Sequence, residues 1–156
     1  MDSSDFPELN LPSFEARLRL VKQRKEIFDG FRNKFVKLTP EEWVRQHTIH
    51  YLVNELNYPK NRIAVELTLN LNGLTKRADI VVYNVSLQPW MIVECKASSI
   101  KLSQAVFDQA ARYNLVMNVP FLVITNGIQL WAASVNRATG LISRLTGLPG
   151  WNEQQS

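Results

Sequence analysis

Cysteine is nearly absent from this chain, and the single Cys95 excludes both an intramolecular disulfide and the zinc sites that need several thiolates at fixed spacings. Glycine is sparse as well, and none of the six forms the Gly-x-x-x-x-Gly-Lys-Ser/Thr loop that cradles nucleotide phosphates. Long apolar runs are missing: the longest, Val119 to Ile124, is far too short to cross a bilayer. The first residues, Met1-Asp-Ser-Ser-Asp-Phe-Pro-Glu8, carry no basic stretch followed by an apolar one, so no secretory leader is expected. These absences lead us to expect a cytoplasmic protein without membrane association.

What remains is an ordinary soluble composition, 46% hydrophobic and 21% charged. A length of 156 residues fits one domain and leaves no room for a motor beside it. The net charge of +4 leans toward polyanionic partners but assigns no site.

The expected organisation is an irregular or frayed lead-in over 1–13, one domain over 14–150, and a tail over 151–156. Phe14 to Lys22 alternates apolar and charged side chains, and Ile27-Phe28, the turn signal Asp29-Gly30 and Phe35 to Leu38 follow. This reads as a small antiparallel strand group over 14–38. Thr39-Pro40-Glu41-Glu42 then starts a helix, with Thr as N-cap, Pro at N1 and Glu at N3. Asn57-Tyr58-Pro59 ends it. Strands are expected at Ile63 to Leu71, Ala78 to Tyr83 and Trp90 to Lys96, with Asn72-Gly73 a tight turn. A second helix over Ser103 to Met117 precedes strands at Phe121 to Thr125 and Gln129 to Val135. The core, 39–135, is therefore an α/β (α+β) arrangement, a mixed β-sheet flanked by helices.

Chemistry concentrates where charged residues interrupt apolar strands, in Arg77-Ala-Asp-Ile80 and Val93-Glu-Cys-Lys96. Strand alternation points Glu94 and Lys96 to one side and Cys95 to the other, into the core. Antiparallel pairing of the two strands would bring Asp79 close to Glu94 or Lys96. Carboxylates so near each other repel unless a cation intervenes, and a hard divalent ion such as Mg²⁺ suits oxygen ligands. Such an ion activates water and polarises a phosphoryl oxygen, while a lysine stabilises negative charge. Phosphodiester hydrolysis is the matching reaction.

Asp79 followed by Glu94-x-Lys96 resembles the signature of the PD-(D/E)XK nuclease superfamily. The segment from about Thr39 to Gly127 is more narrowly similar to the N-terminal nuclease domain of type I restriction enzyme R subunits. Pro40-Glu-Glu-Trp-Val-Arg-Gln46, Arg77-Ala-Asp-Ile80, Glu94-Cys-Lys96 and Gln109-x-x-x-Tyr113 carry that likeness. The resemblance implies a restriction-endonuclease-like core acting on DNA with Mg²⁺, for which Mn²⁺ substitutes. Asp79 and Glu94 would hold the metal and Lys96 would assist the attacking water. The Gln-x-x-x-Tyr element of RecB-type members implies Gln109 and Tyr113 beside the site, on one helix face. A helix-borne glutamate is also implied, and Glu42, expected to face inward, is preferred to Glu41 as an additional catalytic and metal-binding residue. The superfamily's Pro-Asp is Ala78-Asp79 here.

Each residue has a plainer reading. Glu42 is equally the N3 partner of a capping box, and Gln109 and Tyr113 fit a helix packing face. His47 and His50 are explained by a solvated helix face, and Trp43, Trp90, Trp131 and Trp151 by buried anchoring. Lys76 and Arg77 are candidates to neutralise phosphates; Arg17, Arg19, Lys22, Arg24 and Lys25 read by default as scattered solvated charges. Separate restriction-modification or motor subunits and a homodimer are further expected partners. The rival functions are a non-catalytic or partner-dependent nucleic-acid-binding module of the same fold, and a nuclease directed at RNA.

Overall fold

Period-two alternation organises the first quarter of the chain. The computed structural model, which describes residues 6–151, shows Leu18, Ile27 and Val36 aligned across three strands and packed into the core. These strands, β1 (Leu18–Val21), β2 (Arg24–Asp29) and β3 (Lys34–Lys37), form the expected antiparallel group. The β1–β2 turn sets Lys22 and Gln23 at φ 46° and 63°, without the Asn-Gly or Asp-Gly pair that usually marks such a turn. Strand β1 takes up only the last part of the Phe14 to Lys22 alternation, because Phe14 stacks on His50 at 4.0 Å instead of pairing.

Helix α1 (Pro40–His50) begins as expected, the Thr39 hydroxyl accepting the N–H of Glu42 at 3.0 Å. It runs on through one π-helical turn, Tyr51–Glu55, and Asn57 at φ 58° ends it. A six-stranded sheet follows, built of β4 (Ile63–Leu71), β5 (Leu74–Tyr83), β6 (Pro89–Cys95), β7 (Phe121–Thr125), β8 (Leu130–Asn136) and β9 (Leu141–Leu145), in that spatial order. Only β6 and β7 are parallel, and the crossover between them is α2 (Gln104–Met117). Alternate residues of the central strands face opposite helices. Ile80, Val82, Met91 and Val93 pack with Val44 and Ile49 of α1, while Leu122, Ile124 and Ala133 pack with Phe107 and Ala111 of α2. The result is the expected mixed sheet with a helix on each side.

Two expectations need correction. Strand β5 begins at Leu74, directly after the Asn72-Gly73 turn, rather than at Ala78. Strand β9 was not expected; it is the sheet edge, with Leu141 62% exposed, so burial leaves little mark on its sequence. The lead-in, where described, is irregular and packed against the core. Leu9 is buried, Asn10 N–H donates to the Gly127 carbonyl at 2.7 Å, and Trp43 Nε1 donates to the Pro7 carbonyl at 3.1 Å. The parts of the expected lead-in and tail at 1–5 and 152–156 lie outside the described residues. Among those described, no helix is long and apolar enough to cross a membrane.

Gly127, in the β7–β8 turn, has φ +83°, and a Cβ there would stand 2.8 Å from Leu9 Cδ2. Gly127→Ala is expected to destabilise by about 1–3 kcal/mol, read as a lower urea midpoint with unchanged slope. Asp29 offers a second test. Its buried carboxylate accepts N–H bonds from Phe31 at 2.7 Å and Arg32 at 3.0 Å, and further bonds from Arg32 Nε and Gln46 Nε2. Burial alone would raise its pKa, but the bonds and charge of Arg32, with the N–H of Phe31, hold it below the ordinary value. A depressed carboxyl contributes stability that is present above its unfolded pKa, near ~3.9, and lost as pH falls through its folded value. Urea titrations from neutral to strongly acid pH should therefore show Asp29→Asn less stable than wild type at neutrality, by about 1–3 kcal/mol, with a shallower acid loss.

Candidate functional site

The site lies where β5 and β6 part company. Their antiparallel pairing runs back to Ile80 with Val93 and stops, while β5 stays paired with β4 and β6 stays paired with β7 out to Cys95 and Thr125. One register step past that last pair stand Asp79 and Glu94. Asp79 Oδ2 accepts the Cys95 N–H at 2.7 Å, so its side chain caps a backbone donor where the strands diverge.

Sheet geometry explains which way Asp79 faces. In β4, Ile63 and Val65 pack on the α1 side, but Leu67, Leu69 and Leu71 pack on the α2 side. In β5, Ile80 and Val82 pack on the α1 side and Ala78 on the α2 side. Both strands therefore exchange faces at the same level, at Glu66 and Asp79, and Glu66 takes a left-handed φ of 55°. The exchange brings both carboxylates toward Arg45 of α1. Arg45 Nη2 lies 2.6 Å from Glu66 Oε1, 2.8 Å from Asp79 Oδ1 and 3.7 Å from Glu41 Oε1, and Nη1 pairs with Glu42. Burial pulls the Arg45 pKa down, but its hydrogen bond to Asp79 and the Asp79 and Glu66 charges more than restore it, leaving the guanidinium firmly charged.

Glu94 points to the other face, where it pairs with Lys76, whose Nζ stands 5.1 Å from the centre of the Tyr113 ring. Gln109 and Tyr113 line one groove of α2 together with Leu74, Arg112 and Val116, so the expected shared face exists. Gln109 itself is exposed. Cys95 is buried in the core, and burial holds its thiol well above the ordinary range. Lys96, just past the end of β6, donates its N–H to the Thr125 carbonyl at 2.8 Å and borders a cavity of about 160 Å³ with Val106 and Ile124 on the α2 side.

Glu42 is buried, as expected, but it is held by Arg32, Arg45 and Gln46 and meets Asp79 only through Arg45. Glu41 is the glutamate in the electrostatic field of the site: burial first, then the charge of Asp79, raise its pKa, while Arg45 and Lys96 oppose this. Arg77 pairs with Glu66 and Lys76 with Glu94, so neither of these phosphate candidates is a free charge. The helix histidines are not solvated. His47 is buried edge-on to Trp43, His50 stacks on Phe14, and burial lowers both pKa values. Arg45 and Glu66 had no role in the sequence reading. Arg45 was visible as the lone cation of Pro40 to Gln46, three and four residues after two glutamates; Glu66 carried no signal, since its placement depends on the face exchange.

Among the described residues, no group of three or more His, Cys, Asp or Glu side chains is gathered as a ready cage for metal. Asp79 and Glu94 leave the fork on opposite faces, and each offers the hard oxygen donors that Mg²⁺ takes, one or two carboxylates with water and substrate phosphate completing its shell.

Comparison with known proteins agrees with this architecture. No curated protein matches the chain. A fragment assigned as an HsdR subunit of a type I restriction enzyme from Vibrio vulnificus shares the fold, with a TM-score of 0.52 and 22% identity over 72% of this chain and 24% of that one. The chain thus spans about a quarter of that relative's length. The family profile described as type I restriction enzyme R protein N terminus matches residues 40–149, which takes in α1, Asp79, Glu94, Lys96 and the Gln109–Tyr113 face. The chain belongs to this family of type I restriction enzyme R-protein N-termini.

Proposed function

We propose that this domain is a Mg²⁺-dependent DNA endonuclease, with Mn²⁺ able to substitute, working as the cleavage module of a type I restriction assembly with separate modification or motor subunits. The observation that supports this reading is the placement of Asp79 and Glu94 on adjacent strands, one step past the last β5–β6 pair, with Lys96 next along the chain. A bound metal would supply an activated water and a Lewis acid for a phosphoryl oxygen.

The protein's own groups have separate tasks. Asp79 and Glu94 provide hard oxygen donors, and the bond from Cys95 N–H fixes the orientation of Asp79. Lys96, with no ion-pair partner among the described residues, is free to stabilise charge on the phosphate or orient the nucleophile. Tyr113 and Gln109 bound the α2 side, and Tyr113 fixes Lys76 against Glu94. Glu42 acts through Arg45, as a positioning residue. A second reading draws on the pairing of Asp79 with Arg45 and of Glu94 with Lys76: protein cations already balance both carboxylates, as they would in a module that binds nucleic acid without cutting it.

Plasmid and single-stranded DNA, incubated with Mg²⁺, Mn²⁺ or EDTA, should be cut by wild type only with metal. Asp79→Ala, Glu94→Ala or Lys96→Ala should each slow cleavage by about a hundredfold or more. Metal-bound but inactive wild type, shown by calorimetry, would favour the binding module; preferential cutting of RNA would replace the substrate. Arg45→Met leaves Asp79, Glu66 and Glu42 without their shared cation and should cost about 3–5 kcal/mol in urea denaturation. Stability within error of wild type would remove Arg45 as the organiser of the site.

A further inference from the structure

The outer face of the β1–β2–β3 sheet lies before the family-matched residues 40–149 and has no part in the chemistry above. Its inner face is spoken for, since Leu18, Ile27 and Val36 pack into the core. Register puts Arg19, Glu26 and Lys37 in one row of the outer face, and Arg17, Phe28 and Phe35 in the next. Arg24 joins them on β2, two residues from Glu26. Among the described residues, four cations thus share a surface with one carboxylate, and Glu26 is itself buried beneath Arg19 and Arg24, at 2.6 Å and 2.5 Å.

Two phenylalanines on the solvent side of a small sheet are unusual, and here they serve as supports. Arg17 lies 4.4 Å from the centre of the Phe28 ring and Arg19 lies 4.0 Å from that of Phe35. A guanidinium stacked on an aromatic face is held in place at low entropic cost while its in-plane N–H donors remain available to planar anions such as phosphate. Arg17 and Lys37 have no carboxylate partner among the described residues. The sheet is also fastened to the site: Asp29, at the end of β2, and Arg32 hold each other, Arg32 pairs with Glu42, and Glu42 reaches Asp79 through Arg45. The arginines that read as scattered along the sequence are therefore gathered on one rigid platform.

We propose that this face binds the phosphate backbone of DNA without reading sequence, and so holds duplex against the domain beside the cleavage centre. This rests on the reading of DNA as substrate, and adds to it a surface and a set of residues. Charge complementarity carries the assignment: a cluster of cations with, among the described residues, a single and already neutralised acid matches a polyanion.

The test is binding of a fluorescein-labelled DNA duplex in EDTA, by anisotropy over a range of salt. One variant is Arg17→Gln with Lys37→Gln. A second combines Arg19→Gln, Arg24→Gln and Glu26→Gln, so that no buried carboxylate is left unpaired. A control, Lys60→Gln with Arg137→Gln, removes the same number of cations elsewhere on the surface. Each lost phosphate contact lowers the slope of log Kd against log salt by about 0.9, so each test variant should lose about 1.8 while the control keeps the wild-type slope. The loss should be equal for unrelated duplex sequences, and thermal melts check that each variant is folded. Folded test variants that bind like the control would overturn the platform and leave the nuclease reading standing. Wild type that fails to bind duplex at all would likewise overturn the platform, and the cleavage assay alone would decide the nuclease reading.

Discussion

One guanidinium holds the charge balance at the working end of this fold. Arg45 is buried on α1, and the carboxylates of Glu42, Glu66 and Asp79 all reach it. Bringing three anions into so small a volume would be strongly unfavourable without a cation between them, because desolvation and mutual repulsion both act against the charged forms. The ion pairs also join pieces distant in sequence: the first helix, Glu66 at its strand's change of face, and the strand carrying Asp79. The helix could rotate or slide against the sheet only by parting several of these contacts at once.

The strand fork and the face exchange act together. The exchange at Glu66 and Asp79 turns two acidic side chains toward α1, and the end of β5–β6 pairing frees the Cys95 N–H that Asp79 accepts. Glu94, one register step across, stays on the α2 side with Lys76 and Tyr113. The two acids therefore sit side by side along the backbone yet draw on different sets of basic partners. That division lets each carboxylate be oriented independently, which suits a centre assembled at the rim of a sheet rather than inside a closed pocket.

Much of this was legible in the sequence. Alternation marked the N-terminal strands, the Thr39-Pro40 start marked α1, and two charged residues in an apolar strand marked Glu94 and Lys96. What escaped depended on information that a local pattern does not contain. Strand β9 lies at a half-exposed edge, so its apolar residues are not sorted by face. The first turn of β5 is polar where the ribbon leaves the core. His47 and His50 looked solvated because helical periodicity alone cannot show that Phe14, from a separate segment, covers them. Arg45 and Glu66 are placed by tertiary ion pairing, for which spacing gives a direction but no partner.

The strap formed by the early residues bears on where this domain begins. Leu9 and Ile27 share a core cluster with Trp43 and Val44, and Asn10 is bonded to the β7–β8 turn. The family profile matches from residue 40, but cohesion starts more than thirty residues earlier. The matched segment and the folding unit therefore have different lengths: an excision at the profile's edge would strip the lid from α1 and leave its aromatic face exposed to water.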